Sequence, residues 1–220
     1  MSLSTNEPPE QAFWQWFEKN QDDLFHFERN RDAVFNRLFH VLKEVDEDLT
    51  FEFSPVRDNG IREFVISAGG IQTAFPSVES LHAAAPQLPK WQFFKYRQRR
   101  SPLNDLNFAG RHVKATDVHY FLSADENSGK LDIVIFLDGY DAKEKMTIWD
   151  HIGYLFLDEA LGEYDVETSL GVIKFSDRHS KSFKHARPLG DLPAHFDKLL
   201  AMTPEKARAA LAATWPYFAD

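Results

Sequence analysis

The residues best suited to chemistry are acidic. From Asp138 the chain carries Asp141, Glu144, Asp150, Asp158, Glu159, Glu163, Asp165 and Glu167, opposed within that stretch by Lys143 and Lys145. Asp138 directly follows an apolar run, which places it at the carboxyl end of a strand, where ligand sites of α/β-type sheets lie. With Asp141, Asp150 and His151 it could hold a divalent ion or supply a general base, the chemistry of a carboxylate- or divalent-ion-dependent hydrolase. The same residues also read as an Asp138-Gly139 turn followed by the solvated face of a helix, a reading favoured because Asp-Gly turns are common and the spacing matches no defined metal-binding loop.

Two groups of cations offer a different chemistry. Lys90, Lys95, Arg97, Arg99 and Arg100 alternate with Trp91, Phe93, Phe94 and Tyr96. Such interleaving can bind single-stranded nucleic acid by stacking and phosphate contact, and it also describes an edge strand whose charges discourage aggregation. The formal charge of -9 repels phosphate backbones and favours the edge strand. Further on, Lys174, Arg178, His179, Lys181, Lys184, His185 and Arg187 surround a single acid, Asp177, and could recognise a carboxylate or phosphate through charge-assisted hydrogen bonds. A loop solvated by its own charges, or a surface for self-association with the acidic segment of a second copy, fits the same residues. Arg97, Arg100, Arg178, His179 and His185 are the ligand-binding candidates.

Familiar motifs are absent: the chain has no GxSxG, GxxxxGK[ST], HExxH or GxGxxG. It has no cysteine, which removes disulfides and thiolate chemistry. Nine histidines are scattered without ligand spacing, and His119 shares a strand face with Phe121, a setting for a structural histidine. Neither a metal site nor a cofactor is expected.

The elements that must position these residues follow from periodicity. Ring-rich Phe13, Trp14, Trp16 and Phe17 open a helical stretch, and Val34, Leu38, Val41, Leu42 and Val45 form one stripe of an amphipathic helix. Leu49, Phe51 and Phe53 then alternate with polar residues as in a half-buried strand. Residues 61–68 return as the second strand of a hairpin, Ser77 is placed to cap a short helix running to Ala85, and residues 91–97 form a third strand. Residues 101–114 read as a loop. Strands follow at 117–124 and 131–137, joined by a turn at 125–129. The second is apolar on both faces and therefore central in its sheet. A helix over about 142–161 stops at Gly162, and strands are expected at 164–168 and 170–175. The chain closes with a helix at 192–201, another opened by Thr203 and Pro204, and the rings Trp215, Tyr217 and Phe218.

This pattern predicts an α+β domain over 1–220, with a mixed, mainly antiparallel sheet of about six strands shared by two diverged ββαβ halves, 47–100 and 115–176. Aromatic residues reach 14% of the chain, so the interior is expected to be built largely from rings. Residues 1–10 show no signal-peptide character, and no apolar run reaches membrane-spanning length, so a cytoplasmic protein without membrane contact is expected.

The strings Phe13-Trp14-Gln15-Trp16-Phe17, Leu49-Thr50-Phe51-Glu52-Phe53, Phe64-Val65-Ile66-Ser67-Ala68-Gly69-Gly70, Ala85-Pro86-Gln87-Leu88-Pro89-Lys90-Trp91 and Gly162-Glu163-Tyr164-Asp165-Val166-Glu167-Thr168 resemble a family of uncharacterised bacterial proteins. The resemblance implies a bacterial, cytoplasmic protein and carries over no catalytic residue. The function expected is a non-enzymatic binding or interaction module, with self-association as one form of it, a hydrolase as the alternative and nucleic acid as a disfavoured partner.

Overall fold

A computed structural model of the chain describes residues 7–124, 129–141, 148–202 and 206. The α+β class is what it shows, in two compact units, Met1–Arg97 and Gln98–Asp220.

In the first unit, α1 (Pro9–Phe25) opens on a proline whose missing N–H would have had no helical partner. It is followed by α2 (Arg31–Lys43), β1 (Thr50–Phe53), β2 (Arg62–Ser67), α3 (Phe75–Ala83) and β3 (Trp91–Lys95). β1 runs antiparallel to β2 with Phe53 opposite Phe64, and β2 runs parallel to β3 with Phe64 opposite Phe93. Parallel pairing needs a crossover, which α3 supplies. The interior is the expected ring lattice. Phe13, Phe17 and Phe64 are fully buried, and the Phe64 ring lies 5.2 Å from Phe17 and 5.1 Å from Phe53. Edge-on pairs such as Phe17 with Trp91 at 4.9 Å each add about 0.5–1.5 kcal/mol beyond area burial. The Trp14 indole donates to the Leu81 carbonyl at 2.7 Å and ties α1 to α3.

One buried charge stands in this unit. Arg62, 2% exposed, forks onto the Glu28 carboxylate and packs against the rings of Phe25 and Phe27, while its Nε has no partner among the described residues. The guanidinium holds the Glu28 carboxyl below the usual carboxylate range. Ser77 does not cap α3. The helix begins two residues earlier at Phe75-Pro76, and the Ser77 hydroxyl donates to Asp46 at 2.6 Å instead.

The second unit contains β4 (Leu106–Phe108), β5 (Arg111–Val113), β6 (His119–Ala124), β7 (Leu131–Phe136), α4 (Ile148–Leu161), α5 (Glu163–Ser169), β8 (Leu170–Ser176), β9 (Arg187–Pro188) and α6 (Leu192–Leu200). Its main sheet has the order β8-β7-β6-β9, so the strand apolar on both faces is indeed internal. β6 and β7 are antiparallel, β7 and β8 parallel, and α4 with α5 makes the crossover. The connectivity ββαβ therefore occurs in each unit, and in each the second strand runs into glycines of positive φ, Gly69-Gly70 and Gly139.

Three further expectations change. The strands form three sheets rather than one, and the buried apolar residues fall into separate clusters, one built within Met1–Arg97 and the others within Gln98–Asp220. Residues 101–114 are not all loop: β4 and β5 form a hairpin there, too short and polar to register as alternation. Residues 164–168 are helical rather than extended, because Val166 donates back to the Gly162 carbonyl at 3.1 Å and the buried pair Glu163 and Val166 lies at helical spacing. The 125–128 turn, residues 142–147 with Lys143, Glu144 and Lys145, the Thr203-Pro204 helix start and the terminal rings lie outside the described residues. Among the described residues, no helix is long and apolar enough to cross a membrane.

Candidate functional site

In the second unit, α6 carries Leu192, Phe196 and Leu199 buried at i, i+4 and i+7. Its other face presents Ala194, His195 and Lys198. Beside it, two-residue β9 pairs antiparallel with β6 and sets Arg187 directly opposite Tyr120, where side chains lean to the same side. Between them lies a cleft of about 730 Å³, lined among others by Tyr120, His185, Arg187, Asp191, His195 and Lys198. Ligand pockets commonly fall in this size range.

The floor is a hydrogen-bonded pair. Tyr120, fully buried, has its hydroxyl 2.8 Å from His195 Nδ1. Burial pushes the Tyr120 phenol up to about 12, opposed by a hydrogen bond from Arg187. The phenol keeps its proton, and with Arg187 donating to its oxygen the hydroxyl is free to donate to Nδ1. The neutral His195 ring then bears its own proton on Nε2, so it remains a donor without being charged. Burial lowers the His195 pKa, helped by the charges of Arg187 and Lys198 and opposed by Asp191. Among the described lining residues Asp191 is the only carboxylate. The arrangement offers several hydrogen-bond donors and an excess of positive charge to whatever enters, which suits an anion.

A second cleft of about 810 Å³ adjoins, with Gly190 and Ala194 lining both. Its walls include Pro102, Leu103, Ala115, Ala160, Pro188 and Pro193. The two arginines at its edge are engaged internally. Arg99 donates to the Leu161 carbonyl at 2.7 Å and pairs with Asp165 at 2.6 Å and Asp197 at 2.7 Å, while Arg100 faces Glu159 at 3.6 Å.

Of the residues singled out from sequence, His185 lines the first cleft and Arg100 the second. Asp138 follows β7 as expected and accepts from Arg178 at 3.1 Å. Asp177, beyond β8, accepts backbone N–H bonds from His179 at 2.7 Å and Gly139 at 2.9 Å, which hold its carboxyl below the usual range. These contacts clamp together the loops that leave the two parallel strands, with the exposed His179 ring 3.9 Å from Asp177. Asp141 is exposed. Asp150 accepts from Tyr140, whose phenol is pushed up by burial and then by the Asp150 charge. His151 stacks on Phe108 at 6.0 Å. Among the described residues, no three His, Asp or Glu side chains gather to hold a metal ion.

In the first unit, Arg97 pairs with Glu52 and Lys95 with Glu79, while Trp91 and Tyr96 are buried. β3 is an edge strand of its sheet, as the alternation of charges and rings suggested. Sequence reasoning missed Tyr120, Asp191 and Lys198 as site residues and counted His195 only among scattered histidines. The available signal was the polar set Asp191, His195 and Lys198 opposite the clean apolar stripe of Leu192, Phe196 and Leu199. Comparison of the chain with family models, curated proteins and solved structures finds no match.

Proposed function

We propose that the chain is a binding module whose second unit takes up a small organic anion, carboxylate or phosphate, in the cleft between β6, β9 and α6. The observation that carries this reading is the hydrogen-bonded Tyr120–His195 pair in the wall of a cleft where Arg187 and Lys198 meet a single described carboxylate, Asp191. Nothing comparable supports the hydrolase alternative, because Asp138, Asp150 and His151 are engaged with three different neighbours, Arg178, Tyr140 and Phe108.

Sulfate tests the reading, because its charge does not change over the relevant pH range. It should bind the wild-type chain at low ionic strength, with Arg187→Gln and Lys198→Gln each weakening it by about tenfold or more, as expected for a lost charge-assisted hydrogen bond. Binding should tighten as pH falls through the His195 titration, because the protonated ring adds a charge facing the anion. Equal affinity in wild type and Arg187→Gln, by calorimetry, removes the cleft as an anion site.

A further inference from the structure

We propose that the two adjoining clefts form one extended site for an amphipathic anion, its headgroup at Arg187, His195 and Lys198 and its apolar portion running across Gly190 and Ala194 into the proline-lined cleft. This rests on the anion-binding reading above and adds the class of ligand.

Three observations lead there. First, the clefts share part of their lining, and what they share is small: Gly190 has no side chain and Ala194 only a methyl, both exposed. A Cβ built on Gly190 would meet nothing within 4 Å. The saddle between the clefts is therefore low and open. Second, the clefts differ in chemistry. In the first, Arg187 and Lys198 face a single described carboxylate, Asp191. In the second, Pro102, Leu103, Ala115, Ala160 and Pro193 offer carbon, and the cations at its edge already hold carboxylates of their own. A second anion would find little there, whereas a hydrocarbon or aryl group would leave water. Third, neither cleft is too small for its part: at about 730 and 810 Å³ each lies in the size range of ligand pockets. A charged head joined to an apolar body matches both halves at once, and either half alone leaves one cleft wet.

The test is calorimetric titration of the full chain with acetate, octanoate, inorganic phosphate and octyl phosphate, the long-chain probes held below micelle formation. Each buried methylene adds up to about fourfold in affinity, so octanoate should bind at least about tenfold tighter than acetate, and octyl phosphate than phosphate. Which long-chain probe binds more tightly distinguishes a carboxylate head from a phosphate head. Ser101→Trp and Thr116→Trp fill the second cleft from exposed positions that line it and not the first. Both variants should keep the affinity for sulfate and lose the gain from chain length, with circular dichroism confirming the fold. If sulfate binds but octanoate is no tighter than acetate, or if the gain survives both substitutions, the extended site is overturned and the anion cleft stands. If sulfate also fails to bind, both readings fall.

Discussion

Replacing Tyr120 by phenylalanine removes one oxygen and with it the donor that fixes the His195 ring. The loss of this part-buried hydrogen bond should destabilise the chain by about 1 kcal/mol. Ring-nitrogen NMR should show the Nε2-protonated tautomer of His195 losing its dominance, an effect that mere loosening of the core would not produce. The pH response has a definite sign. With its folded pKa raised to about 12, Tyr120 contributes stability that is complete below about 10, its unfolded value, and lost as pH climbs toward 12. For His195, whose folded pKa is lowered, the contribution is intact above about 6.5 and declines as pH falls through the folded value. Absorbance titration of phenolate in the wild type and in Tyr120→Phe should assign the highest tyrosine transition to this side chain. A Tyr120 that titrates near 10 contradicts the buried floor.

At the scale of elements, close packing of α4 on the sheet depends on the absence of a side chain at Gly153. A Cβ there would collide with the Phe175 ring of β8, which also meets Tyr154 edge-on at 5.2 Å. Gly153→Ala should therefore lose about 1–3 kcal/mol in denaturant unfolding, against the ordinary helix preference for alanine. Adding Phe175→Leu should recover most of the loss if the collision is its cause. Such contacts lie beyond periodicity. The stripe of α2 and the alternation of β1 were legible because one buried face repeats at 3.6 or 2 residues. The α5 segment was not, since over five residues Tyr164 to Thr168 alternate well enough for a strand. The local bond from Val166 to Gly162 decides the matter. β9 was invisible for a related reason: two residues, one of them Pro188, carry no period, yet they bring Arg187 to Tyr120.

For the whole molecule, the two ββαβ patterns could be read from sequence but their assignment to one sheet could not, because an apolar strand does not name its neighbour. The kind of side chain differs as well. Rings such as Phe13, Phe17, Phe64 and Trp91 fill the cluster of Met1–Arg97, whereas Leu, Ile and Val predominate in the larger cluster of Gln98–Asp220. Each unit has the length of an ordinary domain. Expressed separately, each should unfold in a single cooperative transition, and Gln98–Asp220 should bind sulfate as the full chain does. A fragment with secondary structure but no cooperative melt would show that its interior needs the other. The β4–β5 hairpin has a practical use in such work. Its turn residues, Ala109 and Gly110, both have positive φ, the geometry of a tight two-residue reversal, and a Cβ on Gly110 would meet nothing within 4 Å. A short epitope or dye-acceptor peptide spliced at this tip would give a handle for tethering the protein to a sensor chip on which the proposed anions can be screened.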